Sequence, residues 1–598
     1  MSREGTLAVV MPLAFLALLA LTCWAWGEAV LRRLRDDEPP AERWATASAL
    51  GLGLLGQGIF LLGLVDRLDP WSLAGFWLAG HALAAATGCW RSASETLRPM
   101  VPFAAAAAPS IALALYPPVG FDATVYHLPY ATRFLELGGL AFLPELRFPV
   151  FPQLAEMTFV PALMWAGDVG AQLCQAFSLM VGGGVVFAWG RARCSLAAGR
   201  LCAAMWFGLP VAVWIGAQAY VDVELALFVA AGAAAIDRGR PGLAGTFLGM
   251  AAATKYLGLF FFAAGALVLL LRRYEAPRLR PTSTAVRFSA AGLTVAGPWY
   301  ARLVVLTGNP LFPFYPQLFG DSDWSQGHRV ELAHALDGPA AVLVDLVTLP
   351  WDGVFGRARF HFEAPLSPWY LALLPLLLWV LGRRWVRRGT APSVPVDLGI
   401  RWLVVVVAYS AFWLTTQGEI RFWLPALPLL HFSFAAALLQ VADRWTGRTR
   451  RRSLAVATIL LIAPGLLYGT YKLADAGNLP LNRDSRHAYL SDLVPGYEAI
   501  AHINRLDVEP GKVYGLHAER LRHYSRRPYL GDFFGPDRFA QIEPLTERPS
   551  LLYGTLNDLG VRYFILPSGH PQRHSLEGSP HFAAIFEGRH FAVLRLRR

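Results

Sequence analysis

The apolar residues of this chain gather into blocks of roughly 15 to 25, the length that crosses a hydrocarbon core as a helix, broken by short arginine-rich stretches. The blocks predict spans near residues 6–30, 45–65, 70–90, 100–117, 168–190, 200–219, 220–236, 242–256, 257–271, 286–306, 368–382, 401–416, 422–441 and 453–471. The breaks RRLRDDEPPAER, WRSASETLR, RARCSLAAGR, DRGR, RRYEAPRLRPTSTAVR, RRWVRRG and DRWTGRTRRR then all fall on one side. The positive-inside bias makes that side cytoplasmic and puts both termini outside. The fold class expected is an α-helical polytopic membrane protein of about 14 transmembrane helices. Its boundaries are 1–471 for the membrane domain and 472–598 for a small extracytoplasmic α/β domain.

Three pieces lie outside. The segment 118–167 carries short helices expected along the outer surface, in YATRFLELGG and FPQLAEMTFVPALMW. A second loop covers 308–367. The tail has ordinary soluble composition and strand-like runs in GKVYGLH, VRYFILP and AAIFEGRHFAVLRL, the last reading as a hairpin turning at Glu587-Gly588-Arg589.

Composition sharpens this picture. Of 598 residues 55% are hydrophobic and only 16% charged, below the quarter or so typical of soluble domains. The net charge of +11 does not mark a nucleic-acid binder, because the arginines sit in alternate loops and no nucleic-acid-binding motif occurs. The five cysteines lie in or beside apolar blocks without metal-binding spacing and read as small core residues. The first block is too long for a signal-peptide core, and its basic residues follow it, so it is expected to stay as a span.

Ionisable residues at the ends of apolar blocks are the informative ones. The stretch PPVGFDATVYHLPYATRFLELGG offers Asp122, Tyr126, His127, Tyr130 and Arg133. On a continuous helix Asp122, Tyr126 and Arg133 would share a face, although Pro129 interrupts the pattern; an N-cap aspartate with interfacial tyrosines is the structural alternative. In AYVDVELALF, Asp222 and Glu224 open a span, and two carboxylates two residues apart point different ways, so Asp222 is the one expected to face the site. Lys255, flanked by Tyr256 in GMAAATKYLGLFFF, is one of only three lysines in the chain. A cation between two short apolar blocks suits a bound anion better than a lone snorkelling side chain. Arg421 lies with Glu419 in the tight turn TTQGEIRFWLPALPLL. Glu156, Asp168, Arg147 and the D-x-D at 321–323 are weaker candidates. The topology puts Asp122, Asp222, Lys255 and Arg421 at one outer membrane surface. A divalent metal ion is a candidate cofactor there, with Asp122 and Asp222 as ligands.

Taken in order, GFDATVYHLPYATRFLELGGL, YVDVELALFVAAGAAA, GTFLGMAAATKYLGL, TGNPLFPFY and GEIRFWLPALP resemble the GT-C superfamily of polyprenyl-phosphate-dependent glycosyltransferases. The likeness is greatest to bacterial members near the protein-mannosyltransferase and aminoarabinose-transferase families, and covers residues 100–440. It implies that Asp122 is catalytic and that Asp222 and Glu224 line the same cavity or assist a metal. Lys255 and Arg421 would bind the lipid phosphate, with the bilayer and an extracytoplasmic lipid, glycan or protein acceptor as partners.

Such a transfer needs no nucleotide cofactor, and neither a P-loop nor a dinucleotide fingerprint is present. One carboxylate would serve as general base, for which Asp122 is the choice. Tyr126, His127, Tyr130 and Arg133 would shape the cleft, with His127 an alternative base whose titration would lie near pH 6.5. The competing readings are a transporter or flippase of lipid-linked sugars, and a polysaccharide ligase or polymerase. A transporter would place its charges nearer the bilayer midplane, between repeats that this sequence lacks.

Overall fold

The computed structural model describes residues 3–35, 38–146, 148–272, 281–320, 339–356, 363–386, 394–415, 418–506, 510–531 and 541–597. Arg147 and the D-x-D at 321–323 lie outside them. The chain opens with α1 (Arg3–Arg33), α2 (Pro40–Leu64), α3 (Pro70–Ala86), the short α4 (Ala93–Leu97) and α5 (Val101–Leu113). After α6 (Leu128–Leu137) come α7 (Leu154–Arg193), α8 (Leu196–Phe207), α9 (Pro210–Ile215), α10 (Asp222–Asp237), α11 (Pro241–Thr254), α12 (Leu257–Arg272) and α13 (Pro281–Thr307). Next are α14 (Pro316–Phe319), α15 (Pro339–Phe355), α16 (Tyr370–Val386), α17 (Val394–Leu414), α18 (Leu427–Ala442) and α19 (Gly447–Ala476).

Among the described residues five apolar stretches are long enough to cross a membrane: Leu7–Arg33, Glu42–Leu64, Leu154–Arg193, Ile420–Ala442 and Gly447–Ala476. Shorter apolar helices pack beside them. The chain is a helical membrane protein. Its axis is α7, buried along almost its whole length. Glycines let its neighbours close in, as small residues do where helices meet in lipid. A Cβ on Gly182, Gly183 or Gly184 would come within 2.8 Å of Trp206, Phe207 or Trp44.

Two local departures from the expected spans have visible causes. The block 200–219 is two helices, α8 and α9, because Pro210 starts a new helix and Gly208 is pressed against the Leu461 carbonyl, 1.8 Å from where its Cβ would stand. The run FPQLAEMTFVPALMW does not lie along a surface. It is the first half of α7, with residues 151–162 all buried, and it joins the second half through a kink at Gly167, whose φ of 69° favours glycine. Around Lys255 the chain doubles back, setting Gly265 of α12 beside Leu248 of α11.

Beyond Gly477 the chain forms α20 (Arg483–Leu493), α21 (Tyr497–Arg505), α22 (Pro549–Asp558) and α23 (Arg573–Glu577) around a five-stranded sheet. The strands are β1 (Lys512–Gly515), β2 (Tyr529–Gly531), β3 (Val561–Pro567), β4 (Phe582–Glu587) and β5 (Phe591–Leu596), in the order β2-β1-β3-β5-β4. β1 runs parallel to β2 and β3; β5 is antiparallel to β3 and β4. The expected hairpin is β4–β5, closed by the Gly588 amide donating to the Phe591 carbonyl at 3.0 Å. Side chains alternate across the sheet. Phe564, Leu566 and Leu594 fill one core, while Tyr563, Ile565 and Val593 fill the other beneath α20 and α21.

Candidate functional site

Four charged side chains from four segments meet at one place. Asp122 lies between α5 and α6, one residue into a helical stretch that starts at Phe121 and immediately before a single π-helical turn, Ala123–His127. Asp222 is the first residue of α10, where an acid complements the positive end of the helix dipole. Lys255 ends α11 in extended conformation. Arg421 lies in a short 3₁₀ helix, Ile420–Ala426, that leads into α18.

They form two ion pairs. Arg421 Nη2 reaches Asp122 Oδ2 at 2.6 Å, and Lys255 Nζ reaches Asp222 Oδ1 at 2.8 Å. The Phe422 ring links the pairs, with Lys255 Nζ 3.8 Å and the Arg421 guanidinium 5.0 Å from its centroid. Cation–π contacts of this kind strengthen away from water, and Arg421 is only 6% exposed.

Around Asp122 the partners are dense. Tyr126 donates its hydroxyl to Asp122 Oδ2 from one π turn further on. The Asp122 amide donates to the Tyr220 hydroxyl at 3.3 Å, and Tyr220 in turn donates to Glu363 Oε1 at 2.8 Å. The guanidinium of Arg421 sits 4.7 Å from the Tyr220 ring centre, with Glu363 and Glu419 each 3.6 Å from its nitrogens. Burial on its own would raise the Asp122 carboxyl. The Arg421 guanidinium, aided by His127 and the Tyr126 hydrogen bond, outweighs it and holds the carboxyl below its usual value. Glu363 goes the other way: burial pushes it up to about 7, against the pull of Arg421.

The remaining candidates separate into neighbours and bystanders. His127 is buried; its Nδ1–H donates to Glu156 Oε1 at 2.8 Å and its ring lies 4.3 Å from that of Tyr126. Tyr130 donates to the Phe148 carbonyl and packs on Phe151. Tyr256 donates to the Phe312 carbonyl at 2.7 Å and walls the Lys255 side with Tyr300 and Phe314. Glu224 turns away from Asp222 and accepts from Gln175 of α7 at 3.3 Å. Arg133 is not in the cluster. It is 38% exposed and pairs with Glu136 and Glu145. The π turn, closed by the Leu128 amide on the Ala123 carbonyl, inserts one extra residue and rotates everything beyond it away from the Asp122 face. Asp168 is likewise elsewhere, beside the C-terminal domain.

Tyr220 and Glu363 were not singled out by the sequence. Tyr220 stands two residues before Asp222 and reads as an interfacial aromatic; Glu363 sits between α15 and α16 with no local pattern. As ligands for a divalent ion, Asp122 and Asp222 fit poorly. Each already faces a cation, and among the described residues no three His, Cys, Asp or Glu side chains gather into a metal-binding group.

The helical membrane body capped by a small sheet domain shares its fold with solved structures. Over 83% of its length the chain superposes on 97% of ArnT from Cupriavidus metallidurans. The TM-score is 0.54 at 16% identity for the apo crystal structure, and 0.52 at 14% identity for the one bound to undecaprenyl phosphate. A weaker likeness, TM-score 0.44 at 12% identity, links 78% of the chain to 69% of the archaeal oligosaccharyltransferase AglB from Archaeoglobus fulgidus. At such identities the likeness concerns the fold. A family model described as SF2091/S2213 matches residues 485–594, within the C-terminal domain. No curated protein matches the sequence.

Proposed function

We propose that this chain is an integral membrane glycosyltransferase of the plasma membrane. It moves a sugar from a polyprenyl-phosphate donor to an acceptor on the extracytoplasmic side, with inversion at the anomeric carbon. The observation that supports this most is the meeting of Asp122–Arg421 and Asp222–Lys255 around Phe422, in a fold shared with a protein crystallised with undecaprenyl phosphate.

Asp122 takes the proton of the acceptor hydroxyl as its oxygen bonds to the anomeric carbon. The bond from that carbon to the phosphate oxygen breaks, and its electron pair leaves with the polyprenyl phosphate. Arg421 and Lys255 meet the charge that builds on the leaving oxygen, which needs positive neighbours more than it needs an acid. The resting pairs prepare this exchange. While Arg421 holds Asp122, the carboxylate is a weak base. A phosphate that draws Arg421 to itself returns proton affinity to Asp122, so the base is strengthened once a donor is in place. His127 is the rival base, because its Nε2 is buried without a hydrogen-bond partner among the described residues. Transfer that survives Asp122→Asn and is lost in His127→Gln would move the assignment to it.

The reading is tested with full-length protein in lipid vesicles and a panel of radiolabelled undecaprenyl-phosphate sugars, with envelope fractions as acceptors. Label entering an acceptor is the expected result. Movement of intact donor across the bilayer without transfer would overturn it in favour of a flippase.

A further inference from the structure

The C-terminal domain grips the outer segment at both ends. At the near end, Arg520 Nη2 donates to the Val119 carbonyl and the Tyr524 hydroxyl donates to the Pro118 carbonyl. Both donors come from one 3₁₀ helix, Glu519–Tyr524. Val119 itself packs against the domain core that contains Leu521 and Val513. One step earlier, Tyr116 donates to the Gly477 carbonyl at 2.6 Å and packs beside Tyr489 with the rings tilted. At the far end, Asp168, next to the Gly167 kink, pairs with Arg486 and lies 3.4 Å from His523 Nε2.

The near-end grip falls three residues before Asp122, and what separates them has little freedom. Gly120 is wedged against the membrane body, since a Cβ there would stand 2.8 Å from Gln218 and 3.0 Å from Tyr220. The Gly120 carbonyl accepts from the Thr124 amide and hydroxyl, at 3.1 and 2.9 Å, which starts the turn that carries Asp122. Tyr524 is itself fixed. Its carbonyl accepts from Asn504 at 2.8 Å, and its ring meets Tyr497 edge-on at 5.2 Å. Burial pushes its phenol up, so it remains a hydrogen-bond donor at any working pH.

We infer that Arg520 and Tyr524 are positioning residues for the membrane site: by holding the carbonyls of residues 118 and 119 they set where Asp122 stands against Arg421. The C-terminal domain is then part of the active machinery. This rests on the glycosyl-transfer reading for its catalytic arm only. A misplacement of about 1 Å at a reacting group costs up to a hundredfold in rate, so a backbone tether three residues away is enough to matter.

The test uses the full chain in nanodiscs, with Arg520→Ala, Tyr524→Phe and Arg520→Lys. Tyr524→Phe removes one hydroxyl and keeps the ring packing, so it retains the fold even if Arg520→Ala does not. The first two variants are expected to lower kcat for transfer by roughly ten- to a hundredfold while the donor KM stays within about twofold. Arg520→Lys, which keeps a donor, recovers most of the loss. Amide hydrogen exchange over residues 118–127 speeds up in the first two and is unchanged in α10 and α11. Unchanged kcat and unchanged exchange would overturn the inference, as would a loss confined to KM. If the wild type transfers no sugar, the glycosyltransferase reading fails on its own. The exchange measurement still judges the tether: faster exchange supports it and identical exchange overturns it.

Discussion

The two ion pairs of the site have the same chemistry and different surroundings. Arg421–Asp122 joins the segment between α5 and α6 to the helical body, and its guanidinium is shared among Asp122, Glu363, Glu419 and the faces of Tyr220 and Phe422. Lys255–Asp222 joins two helix ends within the body. Beyond the Phe422 ring it is spare, with Asp222 Oδ2 buried and lacking a hydrogen-bond partner among the described residues. Arg421 can lose Asp122 and still have its charge met by Glu363 and Glu419, whereas Lys255 and Asp222 form no other ion pair among the described residues. On the proposed reading, Asp122–Arg421 is therefore the pair that exchanges partners, while Lys255 meets the phosphate from a fixed place beside Asp222.

Substitutions can break this contrast in order of expected size. Asp122→Asn should lower transfer by roughly 10²–10⁴-fold and leave membrane insertion intact, because Arg421 keeps Glu363 and Glu419. Turnover at the wild-type rate would remove Asp122 from the base role. Lys255→Met strands the Asp222 carboxylate in a buried place and should cost about 3–5 kcal/mol of stability, read by unfolding in mixed micelles. Adding Asp222→Asn should recover most of it, whereas a silent single variant would mean that the second pair anchors nothing.

Glu363 sharpens the comparison through pH. Its raised carboxyl is neutral below about 7 and charged above, so at high pH it competes with a lipid phosphate for Arg421. Glu363→Gln should therefore tighten undecaprenyl phosphate binding by roughly tenfold at pH 8 and hardly at all at pH 6. A gain equal at both values would locate the competition elsewhere. The smallest effect expected is from EDTA, which should leave the rate unchanged because both aspartates already face cations; a loss restored by Mg²⁺ would return them to metal binding.

Much of this was legible before any coordinates. A charged side chain within or at the end of an apolar run is costly in lipid, so Lys255, Asp222 and Arg421 stand out by their setting alone. The strands of the C-terminal domain read as short apolar runs, continuous in β3 because both its faces are buried, and β4–β5 is visible from its turn. Arg133 falls outside the cluster because an offset of eleven residues shares a face only on an unbroken α-helix, and one π turn before Pro129 shifts the phase. The first half of α7 resembled a surface helix because the Gly167 kink, followed by Asp168, looks like an end. Glu363 and the tether from Arg520 and Tyr524 left no trace in the sequence. Glu363 lies 58 residues before its partner Arg421, and the tether uses backbone carbonyls, which every residue has.

The Phe422 bridge between two self-neutralised pairs has a consequence for what may enter. A pocket that already carries its own counterions offers little to chloride or free phosphate, which would have to displace a carboxylate and gain nothing else. A phosphate on a long hydrocarbon chain is already concentrated in the bilayer beside the site, and that high local concentration lifts it over the threshold. On the proposed reading the site screens its ligands by refusing small anions, and the apolar ring between the two cations keeps that refusal dry.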